Sequence, residues 1–177
     1  MPESISEVEV TEPITNKKLR ELLKDAVREK NIAQKGKKFE IFFETLMKRE
    51  KDFEFVMKHC RSSRGEIDYI YSHNLVYDSF WRKSPYICVE CKNWKGKINS
   101  RDMDHFISLV KSMQILCCYG VYITTSSYEE SAYESIKNAK NDDILIIPIE
   151  KKHLKRLIEE GFKNFVKKLG QEVVFKM

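Results

Sequence analysis

Residues 86–94 read Tyr86-Ile87-Cys88-Val89-Glu90-Cys91-Lys92-Asn93-Trp94. Branched and aromatic residues fill the front of this run, which suits a strand. Successive strand side chains point to opposite faces, so Glu90 and Lys92 project from one face about 7 Å apart. Cys91 turns inward between them and offers its backbone carbonyl beside Glu90. The same parity separates Cys88 from Cys91, so their C-x-x-C spacing cannot serve a single zinc ion.

Upstream, Gly65-Glu66-Ile67-Asp68-Tyr69-Ile70 alternates apolar and polar residues and brings Asp68 to the end of a neighbouring strand. Asp68, Glu90 and the Cys91 carbonyl make an oxygen ligand set suited to Mg²⁺, with Mn²⁺ as substitute. Lys92 beside them can orient a water attacking phosphorus or offset charge on phosphate oxygens. The plainer reading of the same spacing is a surface Glu90–Lys92 ion pair of little worth.

Working outward, the periodicity predicts helices over Lys17–Lys30 and about Phe39–Glu50, with a break at Lys35–Lys37. Strands follow at Phe53–His59 and Glu66–Tyr71, around a turn at Arg61–Gly65. Leu75–Lys83 reads as a long hairpin tip or an inserted loop. A helix capped by Asn99 or Ser100 runs to about Met113, and Cys117–Thr124 reads as a buried strand. Ser127 and Glu130 have capping-box spacing for a helix over Tyr128–Ala139. Ile144–Ile149 is an apolar strand. An amphipathic helix weakened at Gly161 begins near Lys152. This order predicts an α/β fold, a mixed central sheet with helices on both faces.

With 177 residues, 42% of them apolar and 33% charged, the chain has enough apolar material for one real core. The expected division is an acidic lead with an N-terminal helix over 1–30, a core domain over 31–150, and a basic helix over 151–177 packed on that core. No run approaches the roughly 18 apolar residues of a membrane span. The opening residues lack the basic-then-apolar order of a signal peptide, so the expected location is cytoplasmic. Five cysteines, an odd number, read as reduced thiols. Net charge is +5, and Met1–Pro13 holds four glutamates with no Lys or Arg, which leaves the remainder at +9. A body of that sign favours a polyanionic partner, most often nucleic acid.

Asp68 followed by Glu90-Cys91-Lys92 resembles the D…(D/E)-x-K signature of the restriction-endonuclease-like nucleases, most closely their Mrr-type branch. Gly36-Lys37-Lys38-Phe39-Glu40 resembles the G-x-x-F-E opening of that family's first core helix. Gly120-Val121-Tyr122-Ile123-Thr124-Thr125-Ser126 resembles its strand-to-T-T-S turn. The likeness spans roughly Gly36–Leu154, while Tyr77–Pro85 has no counterpart in it. The resemblance implies a restriction-endonuclease-like core and a Mg²⁺-dependent DNA endonuclease. Asp68, Glu90 and Lys92 would be catalytic, and Glu40 would help to position metal, with Glu44 one turn later as its alternative. Trp94, Lys95, Thr125 and Ser126 are expected to contact nucleic acid. Cutting two strands takes two sites, so a homodimer is an expected assembly. A Holliday-junction resolvase of the same fold, and a non-catalytic module binding DNA or protein, stay open as alternatives.

Overall fold

The computed structural model describes residues 13–62, 64–113 and 117–176, and residues 1–12 of the acidic lead lie outside them. Thr15 caps α1 (Asn16–Arg28) by accepting the Lys18 N–H. Asn31 caps α2 (Ile32–Met47), its Oδ1 accepting the Gln34 N–H at 3.1 Å. That cap corrects the break expected at Lys35–Lys37. A helix nucleated at Asn31 runs through Gly36 at a propensity cost of only about 1 kcal/mol. Burial of Phe39, Phe42, Phe43 and Leu46 on its inner face more than offsets that cost.

β1 (Phe53–Ser62) and β2 (Gly65–His73) form an antiparallel hairpin, and β3 (Tyr86–Lys92) lies antiparallel to β2. β4 (Tyr119–Thr124) and β5 (Leu145–Ile149) extend the sheet in parallel, so spatial order equals chain order. Each parallel step needs a crossover. α3 (Ser100–Ser112) and α4 (Glu130–Ala139) supply the two, and both pack on the face that carries Ile70, Cys88, Tyr122 and Ile146. α1, α2, α5 (Leu154–Glu160) and α6 (Phe162–Lys176) cover the other face, against Tyr69, Val89, Val121 and Ile147. A Cβ at Gly120 would stand 2.7 Å from Ile146 Cδ1 and 2.9 Å from Phe106 Cε1. Glycine there lets α3 close onto β4. No helix among the described residues is long and apolar enough to cross a membrane.

Two expectations need correction. Ser127 does not cap α4, because Ile98 and Tyr128 form a bridge that holds 127–129 extended, and the helix starts only at Glu130. The final helix is two helices. Gly161 sits at φ +80°, a left-handed position that favours glycine, and Glu50 accepts the Phe162 N–H at 2.7 Å to start the second. The connection over Leu75–Lys83 is the long tip of the antiparallel β2–β3 hairpin, one of the two readings of that run, and it is packed into the core. Asp78 accepts the Phe80 and Trp81 N–H groups, and Trp81 is fully buried against Phe53, His73, Phe80 and Tyr119. Basic residues of the last two helices are partly engaged within the fold, where Lys163 pairs with Asp52, Lys167 with Asp78, and Arg156 and Lys168 with Glu160.

Candidate active site

β2 and β3 pair as far as Tyr69 and Val89 and then part. In that fork the Asp68 carboxylate takes the place of a backbone partner, its Oδ2 accepting the Cys91 N–H at 2.8 Å. Across the β1–β2 hairpin, Lys58 faces Tyr69 and Cys60 faces Ile67, while His59 between them turns into the left-handed region at φ +53°. The hairpin is thus irregular at the level of Asp68, where a side chain must be aimed rather than paired.

Glu90 projects beside Asp68 from the next strand. Its Oε2 is buried without a hydrogen-bond partner among the described residues. Burial and the nearby Asp68 charge push the Glu90 carboxyl up to about 8. Burial also raises Asp68, partly countered by the Cys91 N–H, with the Glu40 charge adding to the rise. Two carboxylates that repel one another in a half-enclosed fork, one with an oxygen lacking any donor, fit a hard divalent cation better than they fit each other.

Cys91 packs inward against the α1–α2 core and Cys88 is buried on the opposite face, as strand parity requires. Lys92 makes no ion pair with Glu90. Its Nζ stands 4.3 Å from the centroid of the Trp94 ring, within range of a cation–π contact.

Glu40 and Glu44, one helical turn apart on α2, both reach Lys58 on β1, each at 2.8 Å. Tyr69 donates its hydroxyl to Glu44 at 2.8 Å. Burial pulls the Lys58 ammonium down, but its bonds to Glu40 and Glu44 outweigh that and hold it above the usual lysine range. The Glu40 charge is among those acting on Asp68.

Sequence reasoning missed Lys58, His59 and Asn93. Lys58 joins α2 to β1 in a strand of unremarkable pattern. His59 Nδ1 lies 2.8 Å from Glu66 Oε1, and His59, Glu66 and Asp68 each offer a ligand atom within 4.8 Å of the others. Glu66 is also held by Arg61 at 2.8 Å. Asn93 is buried after β3. Its amide donates to the carbonyls of Ala26 at 3.0 Å and Lys35 at 2.8 Å, and its Oδ1 accepts the Thr125 hydroxyl at 2.6 Å. A polar residue directly after the E-x-K triplet was the available signal for it.

That network decides the fate of the expected nucleic-acid contacts. Thr125 is buried and its hydroxyl is directed to Asn93, whereas Ser126 stays partly exposed. Trp94 is 46% exposed, while Trp81 is at 0%. Trp94, Lys95, Thr125 and Ser126 all line one cleft next to Lys92.

A family model described as restriction endonuclease, of the Mrr catalytic type, matches residues 32–158. No curated protein matches. Among solved structures, an EndoMS–dsDNA2 complex is similar at a TM-score of 0.42 and 10% identity, covering 84% of this chain and 49% of that one. SfsA of Pyrococcus furiosus in complex with Ca²⁺ is similar at a TM-score of 0.40 and 14% identity, covering 63% and 55%. The chain spans about half the length of each of these two structures.

Proposed function

The chain belongs to the Mrr-type restriction endonuclease family, and on that premise we propose that it is a DNA endonuclease that hydrolyses phosphodiester bonds with a divalent cation, Mg²⁺ or Mn²⁺. The observation that carries this reading is the buried, unpartnered Glu90 Oε2 beside Asp68. A module that only bound DNA would gain nothing from two carboxylates where phosphate must approach.

Asp68, Glu90 and the Cys91 carbonyl are the residues that would hold the cation. When bound, it supplies Lewis-acid polarisation of the phosphate and a lowered pKa for a coordinated water. Asp68 is aimed by the Cys91 N–H, so its orientation does not depend on substrate. Lys92, resting against the Trp94 ring, aligns the attacking water and offsets charge that develops on the phosphate oxygens. Glu40, tied to Lys58, supports the site from α2. Hydrolysis is direct, with no covalent enzyme intermediate.

The test is incubation of purified protein with plasmid, linear duplex and four-way-junction DNA, in Mg²⁺ and in excess EDTA. Metal-dependent cutting of plasmid and linear duplex is the expected result. Cutting confined to the junction would select the resolvase reading. Binding without cutting would select the non-catalytic module.

A further inference from the structure

Next to the candidate site opens a cleft of about 810 Å³. Its walls include Lys35 from α2, Trp94 and Lys95 after β3, Ser126 after β4, and Lys151 and Lys152 after β5. Glu150 lies in the same walls, but its carboxylate is matched by Lys152 at 2.5 Å and by the Tyr133 hydroxyl at 3.2 Å. Lys35, Lys95 and Lys151 pair with no carboxylate among the described residues. Three uncompensated cations and a half-exposed indole therefore border one concave opening.

The opening is preformed. Asn93 ties the α1 and α2 backbones to Thr125, and the Lys151 N–H donates to Ser126 at 2.8 Å, so both sides of the cleft are fixed to the sheet. It also begins where the candidate site ends, because Trp94 both lines the cleft and carries Lys92 at 4.3 Å. The volume of the cleft falls within the roughly 300–1,000 Å³ of pockets that take one small ligand, a scale that suits a single nucleotide. Lysines hold phosphate without regard to sequence, and an indole offers a stacking surface to any base.

We propose that this cleft receives one unpaired nucleotide adjoining the scissile phosphate, its base against Trp94 and its phosphate among Lys35, Lys95 and Lys151. The assignment rests on the nuclease reading for its position along the strand, and it names a substrate class, DNA with an unpaired or displaced nucleotide. A fully paired duplex has to expose a nucleotide to fill the cleft and therefore binds more weakly.

Fluorescence anisotropy in EDTA, on the full chain, compares a paired duplex with the same duplex carrying one bulged nucleotide. The bulged duplex should bind at least about fivefold tighter, and Trp94→Ala should erase that preference while Trp94→Phe keeps it. The combined Lys35→Gln, Lys95→Gln and Lys151→Gln variant should lower the salt slope of log affinity by about one, because the three lysines share a single phosphate. Equal binding of the two duplexes by the wild type overturns the proposal, as does a preference that survives both Trp94→Ala and the lysine variant with their circular dichroism unchanged. Cleavage in Mg²⁺ is scored separately. Its absence alongside a bulge preference overturns the nuclease reading while supporting the cleft as a nucleotide site.

Discussion

The Oδ2 of Asp68 accepts the backbone N–H of Cys91 at 2.8 Å, across two strands that have ceased to pair at that level. A carboxylate placed there is aimed by the sheet itself and sits close enough to Glu90 for its charge to raise the Glu90 carboxyl. The behaviour of the site follows from that placement.

Without metal, the fork should cost stability as pH rises. A carboxyl whose folded pKa lies above its ordinary value binds its proton more tightly in the folded state. The stability it contributes is complete below about 4.5 and is lost as pH climbs through about 8 for Glu90. Asp68 shifts in the same direction. Thermal melts in EDTA should show Tm falling between pH 5 and pH 8, and Glu90→Gln should flatten that fall. A Tm that rises over this range, equally in wild type and variant, would contradict the buried charge.

The same charges oppose DNA. Each carboxylate about 4 Å from a phosphate costs on the order of 1 kcal/mol in a water-like dielectric. Asp68→Asn with Glu90→Gln should abolish cleavage yet raise metal-free affinity roughly tenfold at pH 9 and low salt. The gain should shrink at pH 6, where Glu90 already holds its proton, and also in higher salt. Anisotropy titrations at the two pH values measure it, and an unchanged affinity at pH 9 would mean that these groups do not face DNA.

Lys92→Ala should leave the fold intact, because the residue is only partly buried at a strand end. Loss of one charge-stabilising or proton-handling group should slow single-turnover cleavage by at least ~10²-fold. Wild-type cleavage by the folded variant would return Lys92 to a surface role.

Asn93→Ala removes two donors from backbone carbonyls and the acceptor of the Thr125 hydroxyl. Buried polar groups left unsatisfied cost about 1–3 kcal/mol each. Urea denaturation should show a loss of at least about 2 kcal/mol, and a change under about 0.5 kcal/mol would show that the network is not a structural tie.

His59 offers a ring nitrogen within 4.8 Å of carboxylate oxygens of Asp68 and Glu66, where it could join a metal site. Imidazole suits Mn²⁺ better than it suits Mg²⁺. His59→Ala should therefore weaken support of cleavage by Mn²⁺ more than by Mg²⁺, by about tenfold in the metal concentration needed. Equal effects on both metals would place His59 outside the metal site.

The sequence by itself determined the strand that matters, since Tyr86–Lys92 is delimited by its own alternation and matches the observed bounds of β3. Parity along that strand was enough to separate Cys88 from Cys91 and to put Glu90 and Lys92 on one side. The crossover helices and the succession of strands along the chain were also legible, because each apolar period is a local property of its segment. Caps were less legible. The Ser127 spacing is a good local signal, but it lost to a bridge between Ile98 and Tyr128, which are distant in sequence. Tertiary structure alone decided that Gly36 stays helical, that Trp81 fills the core while Trp94 meets the cleft, and that Lys92 rests on an indole instead of pairing with Glu90. It also decided the company of Asp68. Lys58 and His59 stand in a segment whose local pattern carries no chemistry, Asn93 is marked only by its place after Glu90-Cys91-Lys92, and all three gain partners only where separate strands and helices converge. Short-range periodicity specifies which face a side chain occupies, whereas its partners depend on long-range approach, and that is set by packing of the whole fold.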